Sequence, residues 1–284
     1  MAMTPRFNFS ASSNRPANSN RASGSRTIRI DPAVGSAPAP AVPEEPEVET
    51  ETEHVEEAAS RMVPVVESPV SRLHFIPETY EPNYSYPLIV WLTTPDQSFD
   101  LAATMDAVSD RNYLGMQVEL GRVFTPSSEG EAFARQLHAH ELTLHKTLRT
   151  VITKFRRDFK VHSERIYLAG IGQGAVAALH LGLSRPEWFG GVISIDAGTD
   201  RMPKLLRRFR HLQGERVLLA HSRGAAETER TAEQKLSRML YSAGLRVCRR
   251  AYATTEIRTR RGSVDLYRDI DRWVMQDIAQ AQLT

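Results

Sequence analysis

Apolar residues are scarce before about Met62 and recur in short, regular runs after Pro87, so the chain reads as a polar leader followed by a patterned domain. The runs Leu88–Leu92, Met116–Leu120, Ile166–Ala169, Val192–Ile195, Val217–Ala220 and Val247–Tyr252 have strand length. Between them, Ala132–Phe159, Ala175–Leu183, Thr231–Ala243 and Val264–Ile278 carry apolar residues at helical spacing. Strands that alternate with helices predict an α/β fold, a mostly parallel sheet with helices on both faces, and a site at the carboxyl edge of the sheet.

The leader behaves differently. SASSNRPANSNRASGSR has no period, and PAPAVPEEPEVETETEHVEEAAS passes from Pro-Ala into a glutamate block. Such a segment buries too little apolar surface to offset its ordering entropy, which predicts a disordered N-terminal tail over 1–62, with an acidic run at 44–57, and one domain over 63–284. A total of 284 residues suits that division.

Composition narrows the class further. No basic start leads into an apolar segment, and Leu88–Leu92 is far too short to cross a bilayer, so a cytoplasmic protein without a membrane span is expected. The single cysteine, Cys248, cannot form an internal disulfide and reads as a core thiol. No paired Cys or His spacing suits a structural metal, so zinc is not expected, nor any cofactor. His138, His140 and His145 share one helical stretch without an i, i+4 pair and read as a solvated face.

The most informative segment runs Arg165-Ile-Tyr-Leu-Ala-Gly170-Ile171-Gly172-Gln173-Gly174, followed by Ala175-Val-Ala-Ala-Leu-His-Leu: a strand, a tight glycine-rich turn, then a helix of small residues. This resembles the strand-elbow-helix of the phospholipase/carboxylesterase family of α/β-hydrolases, which reads G-x-S-x-G, commonly with Gln after the Ser. Gly170 and Gly174 stand at the flanking glycines, and Gly172 stands where the resemblance places the serine. A glycine there needs no strained conformation and offers no oxygen. A dinucleotide-binding reading would need G-x-G-x-x-G, and Ala175 breaks it.

The resemblance extends over about 77–278, and its other chemical positions are also substituted. The acid, expected in a segment like H-G-x-x-D after a later strand, falls on Ala225 of His221-Ser-Arg-Gly-Ala-Ala, or on Ala226 with a one-residue shift. The histidine, expected before the C-terminal helix, falls on Glu256, and a carboxylate cannot relay a proton as an imidazole does near neutral pH. The oxyanion loop reads Leu92-Thr-Thr-Pro95-Asp96, and Pro95 has no N–H to donate.

Surrogates for these groups must come from residues near the sheet's carboxyl edge: Ser194, Asp196, Thr199, Asp200, His221, Ser222, Thr254, Thr255 and Glu256. Only His221 with Asp196 or Glu256 is chemically suggestive. The plainer account has His221 ending a strand against a loop, and Asp196 and Asp200 capping a turn or helix from Met202.

Charge adds one further feature. Formal net charge is +2, yet residues 1–60 hold five Arg against nine acids, so the domain is basic. Arg201, Lys204, Arg207, Arg208 and Arg210, with Arg246, Arg249, Arg250, Arg258, Arg260 and Arg261, predict a basic rim. Aromatic residues do not interleave with it, which argues against nucleic acid. An acidic partner fits better, the chain's own 44–57 run included.

The expectation is therefore a hydrolase-like domain without hydrolase chemistry that binds a protein or a small acyl-type ligand. The alternative is an esterase with a non-standard nucleophile.

Overall fold

A computed structural model describes residues 26–29, 72–121, 131–198, 211–253 and 264–281. Its strands are β1 (Arg26–Arg29), β2 (Arg72–Ile76), β3 (Tyr86–Thr93), β4 (Leu114–Glu119), β5 (Val161–Ile171), β6 (Gly191–Ile195), β7 (Arg216–Ser222) and β8 (Arg246–Tyr252). Its helices are α1 (Leu101–Val108), α2 (Glu131–Asp158), α3 (Gln173–Ser184), α4 (Glu227–Ser242) and α5 (Val264–Ala281).

The eight strands form one sheet in the order β1-β2-β4-β3-β5-β6-β7-β8. The pairs β1–β2 and β2–β4 are antiparallel, and all pairs from β4 to β8 are parallel. All six anticipated strands and four anticipated helices are present. Among the described residues, two strands and a helix were not anticipated. β2 reads RLHFI, too short and polar to stand out, and α1 spans only eight residues, with the Asp100 carboxylate accepting the Ala103 N–H at its start. The third, β1, lies inside the segment expected to be a disordered tail. Its four residues gain order by pairing with β2 at the sheet edge, from Arg26 opposite Ile76 to Arg29 opposite Leu73. The rest of the tail lies outside the described residues.

Strand period divides the interior into two layers. Leu88, Val90 and Leu92 of β3 point with Val217 and Leu219 of β7 into one layer, closed by α2, α3 and α4. Ile89 and Trp91 point with Leu218 and Ala220 into the other, closed by α1 and α5. Every residue of β3 is buried, as a central strand of a sheet covered on both sides requires. On α5, Leu266, Ile270, Trp273 and Val274 form the inward stripe. Asp269 and Asp271 accept hydrogen bonds at 2.7 Å from the hydroxyls of Tyr252 and Tyr113. Cys248 is half-buried and packs against this second layer, in keeping with a bland thiol. No described helix is long and apolar enough to cross a membrane.

Just ahead of β7, burial pushes the Glu215 carboxyl up from 4.5 to about 7, against the opposing pull of Arg246. Above pH 4.5 the unfolded chain has released a proton that the folded chain keeps, so the folded state loses stability as pH rises through 7. Glu215→Gln removes this loss. Thermal unfolding between pH 4.5 and 8 is expected to show the variant gaining on the wild type up to about pH 7 and running parallel above it. A constant difference across that range would contradict the assignment.

Candidate functional site

The turn between β5 and α3 rests on a very close approach of backbone to backbone. A Cβ added at Gly170 would lie 2.2 Å from the Gly174 carbonyl carbon, and one added at Gly174 would lie 2.1 Å from the Leu92 carbonyl oxygen. Both contacts are far inside van der Waals distance, so only glycine fits. The crest residue between them, Gly172, has φ +57 and ψ −120, and its N–H donates to the Ile195 carbonyl at 2.8 Å. A Cβ there would meet nothing within 4 Å. The turn thus keeps the backbone that holds a side chain above the sheet, and glycine occupies it without steric strain.

Around the crest, the first-strand loop turns at Pro95-Asp96, with the Gln97 N–H donating to the Thr94 carbonyl at 3.0 Å. The Gln97 side chain then reaches back, its Nε2 donating to the Ile171 carbonyl at 3.2 Å. Its Oε1 is buried without a hydrogen-bond partner. This amide beside the crest went unnoticed in the sequence, where a single Gln in a loop carries no pattern.

Among the described residues, the surrogates are each engaged in other contacts. Ser194 lies within β6, 1% exposed, and faces the layer closed by α2, α3 and α4. Asp196 follows β6 at φ +50, a left-handed conformation that Asp tolerates better than most residues. Its Oδ1 accepts the Ser222 N–H at 2.8 Å, so it bridges two strand ends. Capping from Met202 lies outside the described residues. Ser222 Oγ in turn accepts the Gly224 N–H at 3.3 Å.

His221 does not end against a loop. It shares the parity of Val217 and Leu219 on β7, so its ring points toward α4, where Nδ1 lies 2.9 Å from Glu233 Oε1. Arg249 of β8 donates from Nε to that same carboxylate oxygen at 3.0 Å, and its Nη2 lies 3.4 Å from His221 Nε2. Burial, and then the Arg249 charge, lower the imidazole from its usual 6.5, while burial raises Glu233 against its bond to Arg249. Both ring nitrogens thus face protein groups.

Ala225 sits in the turn ahead of α4, its N–H donating to the Ser222 carbonyl at 3.2 Å, and contributes no carboxylate. Glu256, Thr254, Thr255, Thr199 and Asp200 lie outside the described residues. The sequence over 254–263 contains no histidine. Of the basic rim, 201–210 and 258–261 lie outside the described residues as well. The three arginines of β8 are engaged: Arg246 Nε donates to the Gly214 carbonyl at 2.9 Å, Arg249 binds Glu233, and Arg250 Nε lies 3.8 Å from Asp269.

A second polar constellation lies between α2 and α3. His138 and Glu141 on α2 meet His180 on α3, with His145 one further turn along, its Nε2 2.7 Å from Ser184 Oγ. His145 is 3% exposed and its pKa falls to about 4, chiefly through burial. The solvated-face reading is therefore corrected for His145, which is buried, and for His138, which meets Glu141. Spacing of i, i+3 and i+7 turns His138, Glu141 and His145 toward α3, so their partners come from a second helix and not from an i, i+4 pair within α2.

No known family model matches the chain, and no curated protein matches it. Among solved structures, it is similar to a dipeptidyl aminopeptidase IV from Bacteroides ovatus, described as putative, at 14% identity and TM-score 0.54, over 72% of this chain and 33% of that one. It is similar to an acylaminoacyl peptidase from Pyrococcus horikoshii at 17% identity and TM-score 0.53, over 72% and 39%. A dipeptidyl peptidase 4 from Porphyromonas gingivalis gives 13% identity and TM-score 0.51, over 72% and 33%. The chain spans 33–39% of these peptidases' length. At such identities the likeness carries the fold alone, and the fold is α/β-hydrolase-like.

The two glycine positions give opposite steric expectations. Gly174→Ala is expected to lose about 3 kcal/mol, because the obstructing atom is backbone and cannot rotate away. Gly172→Ala is expected to lose about 1 kcal/mol, the conformational cost of positive φ in open space. Denaturant unfolding of both variants measures the difference. The reverse ranking would mean that the crest is not open.

Proposed function

We propose that this protein is a catalytically inactive member of the α/β-hydrolase fold that works by binding, in the cytoplasm, either a protein or a small acyl-type ligand. The observation that carries the reading is the crest at Gly172. Its backbone is held in position and the space above it is open, but the residue has no atom that can attack a carbonyl.

Three further observations support it. Asp196 uses its carboxylate on the Ser222 N–H. The His221 ring is directed to the α4 side of the sheet, against Glu233 and Arg249. Pro95 supplies no N–H to the neighbouring loop. Loss of the nucleophile or base of such a triad removes several orders of magnitude of rate. An acidic partner would complement the basic domain, and the chain's own 44–57 run is one within reach of covalent attachment.

Purified protein is expected neither to take a fluorophosphonate label nor to turn over a short-chain aryl ester. Labelling or turnover that disappears in His221→Ala would overturn the proposal. Gly172→Ser alone is expected to remain without turnover, because Ala225 carries no carboxylate and Glu256 no imidazole. Measurable esterase activity in that single variant would place the acid and base elsewhere.

A further inference from the structure

We infer that His138, Glu141 and His180 form a binding site for a divalent transition-metal ion, zinc foremost, which ties α2 to α3. One imidazole and one carboxylate come from α2 and a second imidazole comes from α3, and the three ligand atoms all lie within 4.8 Å of one another.

The distances match the demand of the ion. Zinc holds nitrogen and oxygen at about 2.0–2.2 Å, so two ligands of a tetrahedral ion stand about 3.3 Å apart. His180 Nε2 lies 3.2 Å from Glu141 Oε2, and His138 Nδ1 lies 3.5 Å from the same oxygen. Two edges of the tetrahedron are therefore already close to their required length. The third, between the two imidazoles, is within 4.8 Å, and a small rotation of the half-exposed His138 side chain would close it.

Hydrogen bonding alone leaves the cluster incomplete. Glu141 Oε2 meets His180 Nε2 at hydrogen-bonding distance, while His138 Nδ1, 3.5 Å from the same oxygen, is buried without a hydrogen-bond partner. An ion would take the His138 nitrogen into its coordination sphere and neutralise the Glu141 carboxylate. Two imidazoles, one carboxylate and a remaining position toward solvent form a donor set suited to zinc, and to the neighbouring divalent ions that imidazole prefers.

The site is separate from the crest. His180 lies two turns along α3 from Gly172, on the side toward α2. Its occupancy does not depend on whether the crest binds a ligand or performs chemistry, so the two proposals stand or fall apart.

The test is full-length protein freed of any affinity tag, stripped with a chelator and titrated with zinc chloride alone. We expect one zinc per chain and a rise in the thermal unfolding midpoint on binding. His138→Ala, on the exposed side of the cluster, and Glu141→Gln are each expected to weaken zinc at least about tenfold, while His162→Ala, on β5 away from the cluster, leaves the affinity unchanged. Absence of uptake would overturn the inference and leave a packing contact between two helices. Uptake that survives both His138→Ala and Glu141→Gln would overturn it equally, placing the zinc elsewhere.

Discussion

The close contact among β3, β5 and the start of α3 is the constraint on which the rest of the molecule depends. Helix α3 begins directly against backbone, with Gly170 and Gly174 removing the two side-chain carbons that would hold it off. The helix that follows, Gln173–Ser184, comes close to the sheet again at Gly182, where a Cβ would lie within 2.4 Å of Val192. The helix therefore lies deep, ten of its residues are buried, and the crest stands between the ends of β3 and β6. These requirements are purely steric. They hold whatever atom the crest residue presents, so the architecture of the turn is independent of the chemistry at its crest.

Parity along the strands has the next largest effect. In β7, Leu218 and Ala220 face one layer and Val217 and Leu219 the other, and His221 follows the second set. One residue of register separates a ring facing α4 from a ring on the opposite face of the sheet. Because the ring lies under α4, a buried carboxylate on that helix, Glu233, becomes its partner, and Arg249 from the edge strand completes the group. A histidine at the carboxyl end of a strand is thus absorbed into packing. Asp196 is absorbed in a similar way, as the clamp between the ends of β6 and β7.

The interface between α2 and α3 departs from the apolar rule that governs the sheet layers. Below it, Leu137, Leu144 and Leu148 join the core, while His138, Glu141, His145, His180 and Ser184 form a polar seam within the same pair of helices. A buried polar seam fixes the register of two helices more sharply than leucines can, because each group needs a particular partner.

Most of the sheet was legible from the chain alone. Six strands and four helices followed from apolar period, since a buried parallel strand must be continuously apolar and a covering helix must carry a stripe. The turn with Gly172 at its crest, and Ala225 beyond the end of β7, were legible too, because local spacing around a strand end survives without knowledge of the fold. β1, β2 and α1 were not, their four, five and eight residues being too few to establish a period. Nor were the fates of His221 and Asp196, or the meeting of His138 and Glu141 with His180. Each depends on which groups a neighbouring element brings within about 3 Å, and such proximity arises between residues distant in sequence. The chain by itself determined most of the elements and which residue stands at the turn between β5 and α3; the packing of those elements decided which polar groups face one another, because contact distance is set by the tertiary fold and not by position along the backbone.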